Sequence, residues 1–294
     1  MNIYVAPFVK ERTKKLYYQQ INKHIVPCLG DEELENLTNL KLQKAVASLT
    51  NDGYAANTVN GIINILKKSL KDAAISGMTL NEYGSFIKRP KGKERKIFCF
   101  TKKEQSLIEG YILNGEKTRL YGVIICFYTG MRIGELLSLK WEDIDFKKRL
   151  ITVSKTCADF WKNGNYIKLL DAPKTLNSQR IVPFPKQLTS VLKEIKEKGR
   201  GEYVIFGKSN QGVSVRSYQK SFENLLNKLK IEHRGFHSTR HTFATRALEC
   251  GMDVKTLSVI LGHQDPQITL KRYAHSLLDH RMEMVNRLGK LLER

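Results

Sequence analysis

Between Lys88 and Lys96 the chain reads K-R-P-K-G-K-E-R-K, nine residues with six positive charges, one negative charge, one proline and one glycine. A stretch of this composition cannot bury enough apolar area to offset the entropy of ordering it, so no single hydrophobic core can run through it. It predicts two folded units, residues 1–87 and 98–294, joined by a basic linker at 88–97. A length of 294 residues is ordinary for two domains.

Before the linker, from Glu11 to about Gly77, apolar residues recur at helical spacing: Leu16, Ile21 and Ile25, then Leu40, Val46 and Leu49, then Val59, Ile62, Ile63, Leu66 and Leu70. The pattern predicts an all-helical unit of three to five helices, broken at Pro27–Asp31, at Asn51-Asp52-Gly53 and at Gly77. After the linker, T-K-K-E at Thr101–Glu104 has the form of a capping box and opens a new helix. Leu120–Tyr128 reads as a buried helix stopped by Gly130, and a second helix runs through Leu139. Segments at Leu150–Ser154, Tyr166–Leu169 and Arg180–Pro183 predict a small antiparallel sheet. Helices resume near Lys186, Val215, His237, Val254, Ile268 and Leu277. The fold class is mainly α with a small antiparallel β-sheet.

Fifty Lys and Arg against 29 Asp and Glu leave a net charge of +21, the balance of a polyanion binder. Residues 1–97 hold 16 basic and 9 acidic side chains, so the excess is shared by both units and both should face the same polyanion. The longest apolar run, Tyr121–Tyr128, is far short of the roughly 20 residues of a membrane span. The N-terminus lacks the basic-then-apolar order of a signal peptide. Five widely spaced cysteines with no C-x-x-C pair argue against a disulfide framework and a zinc site, and fit a reducing cytoplasm. Gly201–Ser209 resembles a phosphate-binding loop, but five strand-like residues separate its glycines where that loop has four.

Five stretches carry chemistry. Thr129-Gly-Met-Arg132-Ile-Gly-Glu135 puts an arginine at a helix start directly after a glycine turn, where a guanidinium can grip a phosphate bidentately. Taken alone, such an arginine is more often a surface partner of the glutamate three residues on. His237-Ser-Thr-Arg240 places two hydrogen-bonding side chains on one helical face. The neighbouring His241 invites a rival reading as a metal pair, which lacks a third ligand nearby. Leu261-Gly262-His263 sets a histidine after a glycine helix stop, and Tyr273 stands among Lys271, Arg272 and His275. Lys174 precedes the Arg180–Pro183 segment and should project from a hairpin, with Lys155 and Lys168 as alternatives in the same β region.

T-G-M-R-I-G-E-L-L-S-L-K-W, P-K-T before R-I-V-P, F-H-S-T-R-H-T-F-A-T, L-G-H and T-L-K-R-Y-A-H, in this order, resemble the tyrosine recombinase family of phage and conjugative-transposon integrases. The resemblance spans roughly Thr101 to His275, and the N-terminal helices look like the family's core-site DNA-binding, SAM-like domain. It implies a site-specific recombinase that cleaves and rejoins DNA through a 3′-phosphotyrosyl intermediate without metal, ATP or other cofactor. By that resemblance Arg132 and Arg240 clamp the scissile phosphate and Tyr273 is the nucleophile. Lys174 protonates the leaving 5′ oxygen, His237 assists proton transfer, His263 hydrogen-bonds the phosphate and Glu135 orients Arg132.

The implied partners are double-stranded DNA attachment sites, three further copies of the chain in a synaptic tetramer, and accessory DNA-bending or directionality factors, in the cytoplasm at the nucleoid. A type IB topoisomerase and an inactive architectural DNA-binding protein are the competing readings. Relatives often carry a further N-terminal arm-binding domain, so the chain is expected to be either a simpler recombinase or a truncated one. The amphipathic stretch from Leu277 to Leu292 predicts a terminal helix that packs on its own domain or docks on a neighbour.

Overall fold

The computed structural model describes residues 5–78, 86–92, 98–115, 118–162, 165–171, 179–199, 201–207, 212–263, 265–267, 270, 285–286, 288–290 and 292. The chain divides into two compact units, Met1–Arg95 and Lys96–Arg294.

In the first unit, α1 (Glu11–Gln20) passes through a π-wound stretch, Ile21–Ile25, into α2 (Val26–Leu29). The helix runs through Pro27 and stops at the far end of the predicted break, at Gly30. The widened turn explains the tolerance: the Val26 N–H reaches back to the Ile21 carbonyl, and Pro27 has no N–H to satisfy. A short turn leads to α3 (Asn39–Asn51), whose N-cap Thr38 accepts from the Lys41 N–H at 3.3 Å, and then to α4 (Ala56–Ile75). Leu42, Val46 and Leu49 of α3 pack against Val59, Ile62, Ile63, Leu66 and Leu70 of α4, with Leu37 and Ile87 closing the core. Each such side chain contributes roughly 1.5–3 kcal/mol on burial. Immediately after Ile87 the basic stretch is fastened to this unit. The Lys88 N–H donates to Gln43 Oε1 at 2.8 Å, Arg89 Nη2 to Asn64 Oδ1 at 2.7 Å, and Asn60 Nδ2 to the Pro90 carbonyl at 3.2 Å.

The second unit opens with α5 (Lys102–Leu113), and the capping box is formed: Thr101 Oγ1 accepts from the Glu104 N–H at 3.1 Å and Glu104 Oε2 from the Thr101 N–H at 2.7 Å. Next come α6 (Tyr121–Thr129), almost wholly buried, and α7 (Ile133–Ser138). Five strands follow: β1 (Ile144–Asp145), β2 (Leu150–Val153), β3 (Thr156–Lys162), β4 (Asn165–Asp171) and β5 (Arg180–Pro183). They form two antiparallel assemblies, a three-stranded sheet ordered β1-β2-β5 and a separate β3-β4 hairpin. This corrects the expectation of one sheet built from three segments. The Tyr166–Leu169 segment pairs with β3, which the sequence reading did not identify, in a register that sets Lys162 opposite Asn165. The two intervening residues, Asn163-Gly164, are the dipeptide favoured in two-residue hairpin loops.

Then come α8 (Lys186–Lys198), α9 (Val215–Lys228), α10 (His237–Glu249) and α11 (Val254–Leu261), all four close to their predicted starts. The expected helix at Ile268 and most of the one from Leu277 lie outside the described residues. Asp159 of β3 accepts from the Val215 and Arg216 N–H groups at 2.9 and 2.7 Å, capping α9 and tying the hairpin to it. The chain entering the unit is held on α10: the Phe100 N–H donates to Thr242 Oγ1 at 2.9 Å and Arg246 Nη2 to the Phe100 carbonyl at 2.9 Å. The stretch after Gly201 is core, with Val204 and Ile205 buried and the Val204 N–H bonded to the Leu139 carbonyl at 3.0 Å. No described helix is long and apolar enough to cross a membrane.

Candidate active site

The site is organised by the end of α11. Gly262 ends that helix at φ +65°, a left-handed conformation that costs glycine little. The Gly262 N–H then bonds the Val259 carbonyl and the His263 N–H the Ser258 carbonyl, both at 3.0 Å, the double closure of a Schellman turn. That closure leaves the carbonyls of Ile260, Leu261 and Gly262 without helical donors, at the negative end of the helix dipole. Three arginines from three other elements take them. Arg180 Nε of β5 donates to Ile260 O at 2.6 Å, Arg240 Nη2 of α10 to Leu261 O at 2.6 Å, and Arg132 Nη2 to Gly262 O at 3.2 Å.

Arg132 is the N-cap of α7, in extended backbone two residues beyond Gly130. Gly130 ends α6 at φ +64°, and its carbonyl accepts from Arg240 Nη1 at 2.9 Å. The turns after α6 and α11 thus hold Arg240 between them, and Arg132 beside it. Their exposure differs sharply: the Arg132 side chain is 38% exposed and Arg240 only 1%.

Glu135 lies beneath Arg132. Its Oε1 accepts from Arg132 Nη1 at 2.7 Å and its Oε2 from the Arg132 N–H at 2.8 Å. From the other side Arg180 forks onto the same carboxylate, Nη1 to Oε1 at 3.0 Å and Nη2 to Oε2 at 2.8 Å. Burial alone would push this carboxyl up, but the hydrogen bonds and charge of Arg180, joined by the charge and amide of Arg132, outweigh it and hold it at about 2. Glu135 is therefore ionised at any working pH. Its contribution to stability is fully present above the ordinary carboxyl value of 4.5 and is lost progressively as pH falls from there through about 2.

His237, the first residue of α10, is exposed and meets His241 edge-on with ring centroids 4.6 Å apart. His263 follows Gly262 and is half-buried. The structure therefore brings Arg132, Arg240 and His263 to the two glycine turns and puts His237 one helical turn before Arg240. Lys174 and Tyr273 lie outside the described residues. Of the alternative lysines, Lys155 engages Glu142 at 3.3 Å and Asp143 at 3.9 Å, while the Lys168 side chain also lies outside the described residues. Among the described residues no cluster of three metal-ligating side chains occurs, so His237 and His241 have no third ligand there. The residue that sequence reasoning passed over is Arg180, which it read only as the start of a strand.

Residues 100–280 match the phage integrase family, and residues 4–50 match the N-terminal SAM-like domain of phage integrases. A XerC-like tyrosine recombinase from Caldanaerobacter subterraneus subsp. tengcongensis is 30% identical over 281 residues, 87% of this chain and 71% of that protein. The transposase of transposon Tn916 from Enterococcus faecalis is 25% identical, over 89% of this chain and 69% of that protein. Among solved structures, the Tn1549 transposon integrase in complex with transposon right end DNA superposes with a TM-score of 0.83 at 21% identity, covering 96% of this chain and 95% of that one. A lambda integrase tetramer bound to a Holliday junction gives 0.71 at 19% identity, over 92% and 74%. At these identities the structures speak for the fold.

The chain belongs to the phage integrase family. It is a tyrosine recombinase, an enzyme that cleaves and rejoins DNA strands in site-specific recombination of the kind that integrates or excises mobile elements.

Proposed function

We propose that Arg132 and Arg240 bind the non-bridging oxygens of the scissile phosphate while Tyr273 attacks its phosphorus. The Tyr273 oxygen forms a new ester bond, the bond to the 5′ oxygen breaks, and Lys174 gives that oxygen its proton. The free 5′ hydroxyl of a partner strand reverses the step, so the phosphotyrosine ester conserves the bond and no nucleotide is consumed. His237 takes part in proton transfer from the tyrosine, and His263 donates to the phosphate.

The observation that carries this reading is the fixing of two guanidiniums on adjacent glycine turns, Arg240 on Gly130 O and Leu261 O, Arg132 on Gly262 O. Donors held in place before the charge develops are worth about 3–4 kcal/mol each in a closed site. A free tyrosine ionises near pH 10, so attack at neutral pH needs such neighbouring cations. Arg240 is only 1% exposed, so its contact with the phosphate requires its surroundings to rearrange when DNA arrives. Lys155, held by Glu142 and Asp143, is the poorer candidate for general acid.

The N-terminal helical unit and the catalytic unit both bind the core site, and the basic residues of 88–97 add contacts to its phosphates. Four protomers act on two duplexes, assisted by DNA-bending or directionality factors at the nucleoid. The terminal segment docks on a neighbouring protomer, a reading supported by three apolar side chains, Val285, Leu288 and Leu292, that stand 63%, 56% and 69% exposed.

The test is a duplex nicked near the crossover, which traps the covalent adduct. Wild-type protein should become attached to DNA; Tyr273→Phe should bind with unchanged affinity and form none. An adduct with the phenylalanine variant would remove Tyr273 from its role.

A further inference from the structure

We infer that Arg180 is a positioning residue for the recombination reaction: buried beside the turn after α11, it grips both oxygens of Glu135 and the Ile260 carbonyl, and so fixes the carboxylate that aims Arg132. The inference rests on the assignment of Arg132 to the scissile phosphate.

The strand that carries Arg180 is built against its own chemistry. In β5 the alternation turns Arg180 and Val182 inward and leaves Ile181 57% exposed. A register one residue over would bury the isoleucine and solvate the arginine, the arrangement hydrophobicity alone prefers. The pairing that prevents it is explicit, Val153 opposite Arg180 and Ile151 opposite Val182, the latter two both fully buried. A charged side chain 4% exposed is costly, and a buried Arg–Glu pair is seldom more stabilising than apolar residues of the same size. What the pair supplies is position. Arg180 uses Nε on the α11 turn and both terminal nitrogens on Glu135, so the carboxylate is locked in plane relative to the same turn that holds Arg132 and Arg240.

Room for this fork comes from Gly262. A Cβ there would stand 3.0 Å from Arg180 Cδ, 3.1 Å from Nη1 and 3.2 Å from Nε. The absent side chain thus permits the helix stop and makes space for the guanidinium. Without Arg180, Glu135 would face Arg132 alone, and the Arg132 side chain, more than a third exposed, would have a swinging partner in place of a fixed one.

The experiment compares single-turnover cleavage of the nicked duplex by wild type, Arg132→Lys, Arg180→Lys, Glu135→Gln and Glu135→Gln/Arg180→Met, with duplex affinity measured in parallel. Arg180→Lys should bind DNA within about threefold of wild type yet cleave roughly 100-fold more slowly, the split of a residue felt at the transition state. It should also acquire an acid limb in its cleavage profile below neutral pH. The charged and titratable groups that act on Glu135 are Arg132 from its own helix start, Arg180 from β5 and the buried Cys126 thiol of α6, which also feels the charge of Arg240. A lysine keeps the charge but not the two-pronged hydrogen bonding, so the carboxyl moves up from its depressed value, and its protonation uncouples it from Arg132. Glu135→Gln cannot titrate and should show no new limb.

In the Glu135→Gln background, Arg180→Met should cost no further cleavage, a comparison that leaves no buried carboxylate unpaired and so decides the matter even if Arg180→Lys fails to fold. A further loss in that background, or normal cleavage by Arg180→Lys with Arg132→Lys impaired, would overturn the inference alone. Normal cleavage by Arg132→Lys would overturn the reading on which it rests.

Discussion

Replacing Gly130 by alanine should destabilise the second unit by about 2–5 kcal/mol, and the figure follows from two separate terms. An L residue held at φ +64° costs about 1–2 kcal/mol in backbone energy. The added Cβ would stand 2.5 Å from Phe243 Cδ1 and 2.8 Å from Leu261 Cδ2, so the Phe243 ring of α10 and the Leu261 side chain of α11 must both shift, an overpacking cost of about 1–3 kcal/mol. Gly110, inside α5, is the control: a Cβ there would meet nothing within 4 Å, so alanine should stabilise by roughly 0.5–1 kcal/mol. Both tryptophans, Trp141 and Trp161, belong to the second unit, so urea unfolding followed by tryptophan fluorescence reads both variants against wild type. Because the Gly130 carbonyl holds Arg240, the alanine variant should lose cleavage activity even where it remains folded. A midpoint for Gly130→Ala equal to or above wild type would refute the tight approach of the three elements.

Lys174→Ala should be inactive on ordinary DNA and recover on a duplex with a 5′-bridging phosphorothiolate, whose sulfur leaves without a proton; recovery of Lys155→Ala instead would move the general acid. Exchanging the six basic residues of Lys88–Lys96 for serine should weaken binding to all duplexes alike, and the slope of log affinity against log salt should fall by roughly one for each phosphate no longer neutralised. An unchanged slope would place the segment away from the DNA backbone. Removing residues from Leu277 onward should leave duplex binding intact and abolish synaptic complexes in gel-shift assays; normal synapsis would show that the terminal segment is not the tether between protomers.

What the sequence made legible were features written in local chemistry. The Thr101 capping box, the stops at Gly130 and Gly262 and the starts of α8 to α11 each depend on a few neighbouring residues, and each formed. Arg132 and Arg240 stood out because they sit in dense motifs, and the structure brings both to the glycine turns. Arg180 was not, because a polar residue at a strand start ordinarily faces water, and its inward turn is set by pairing with Val153 and by Glu135, 45 residues away. The β3 strand was hidden by its mixed composition, although Asn163-Gly164 was there to mark the hairpin. The landing of three guanidiniums on one turn left no trace at all, since backbone carbonyls are common to every residue type.

That anonymity has an evolutionary side. No point substitution at Ile260 or Leu261 can delete the oxygen that receives an arginine, whereas a side chain at Gly262 would strain the turn and press on Arg180. A deletion or insertion of one residue within α11 is another matter: each added or lost residue turns the helix end by about 100° and shifts it by about 1.5 Å, presenting the wrong carbonyls to all three guanidiniums at once. The turn should therefore accept exchange among apolar side chains of similar size at the buried Ile260 and Leu261 while tolerating no change of length, and a library of single-codon deletions across Val254–Leu261 should contain no active recombinase.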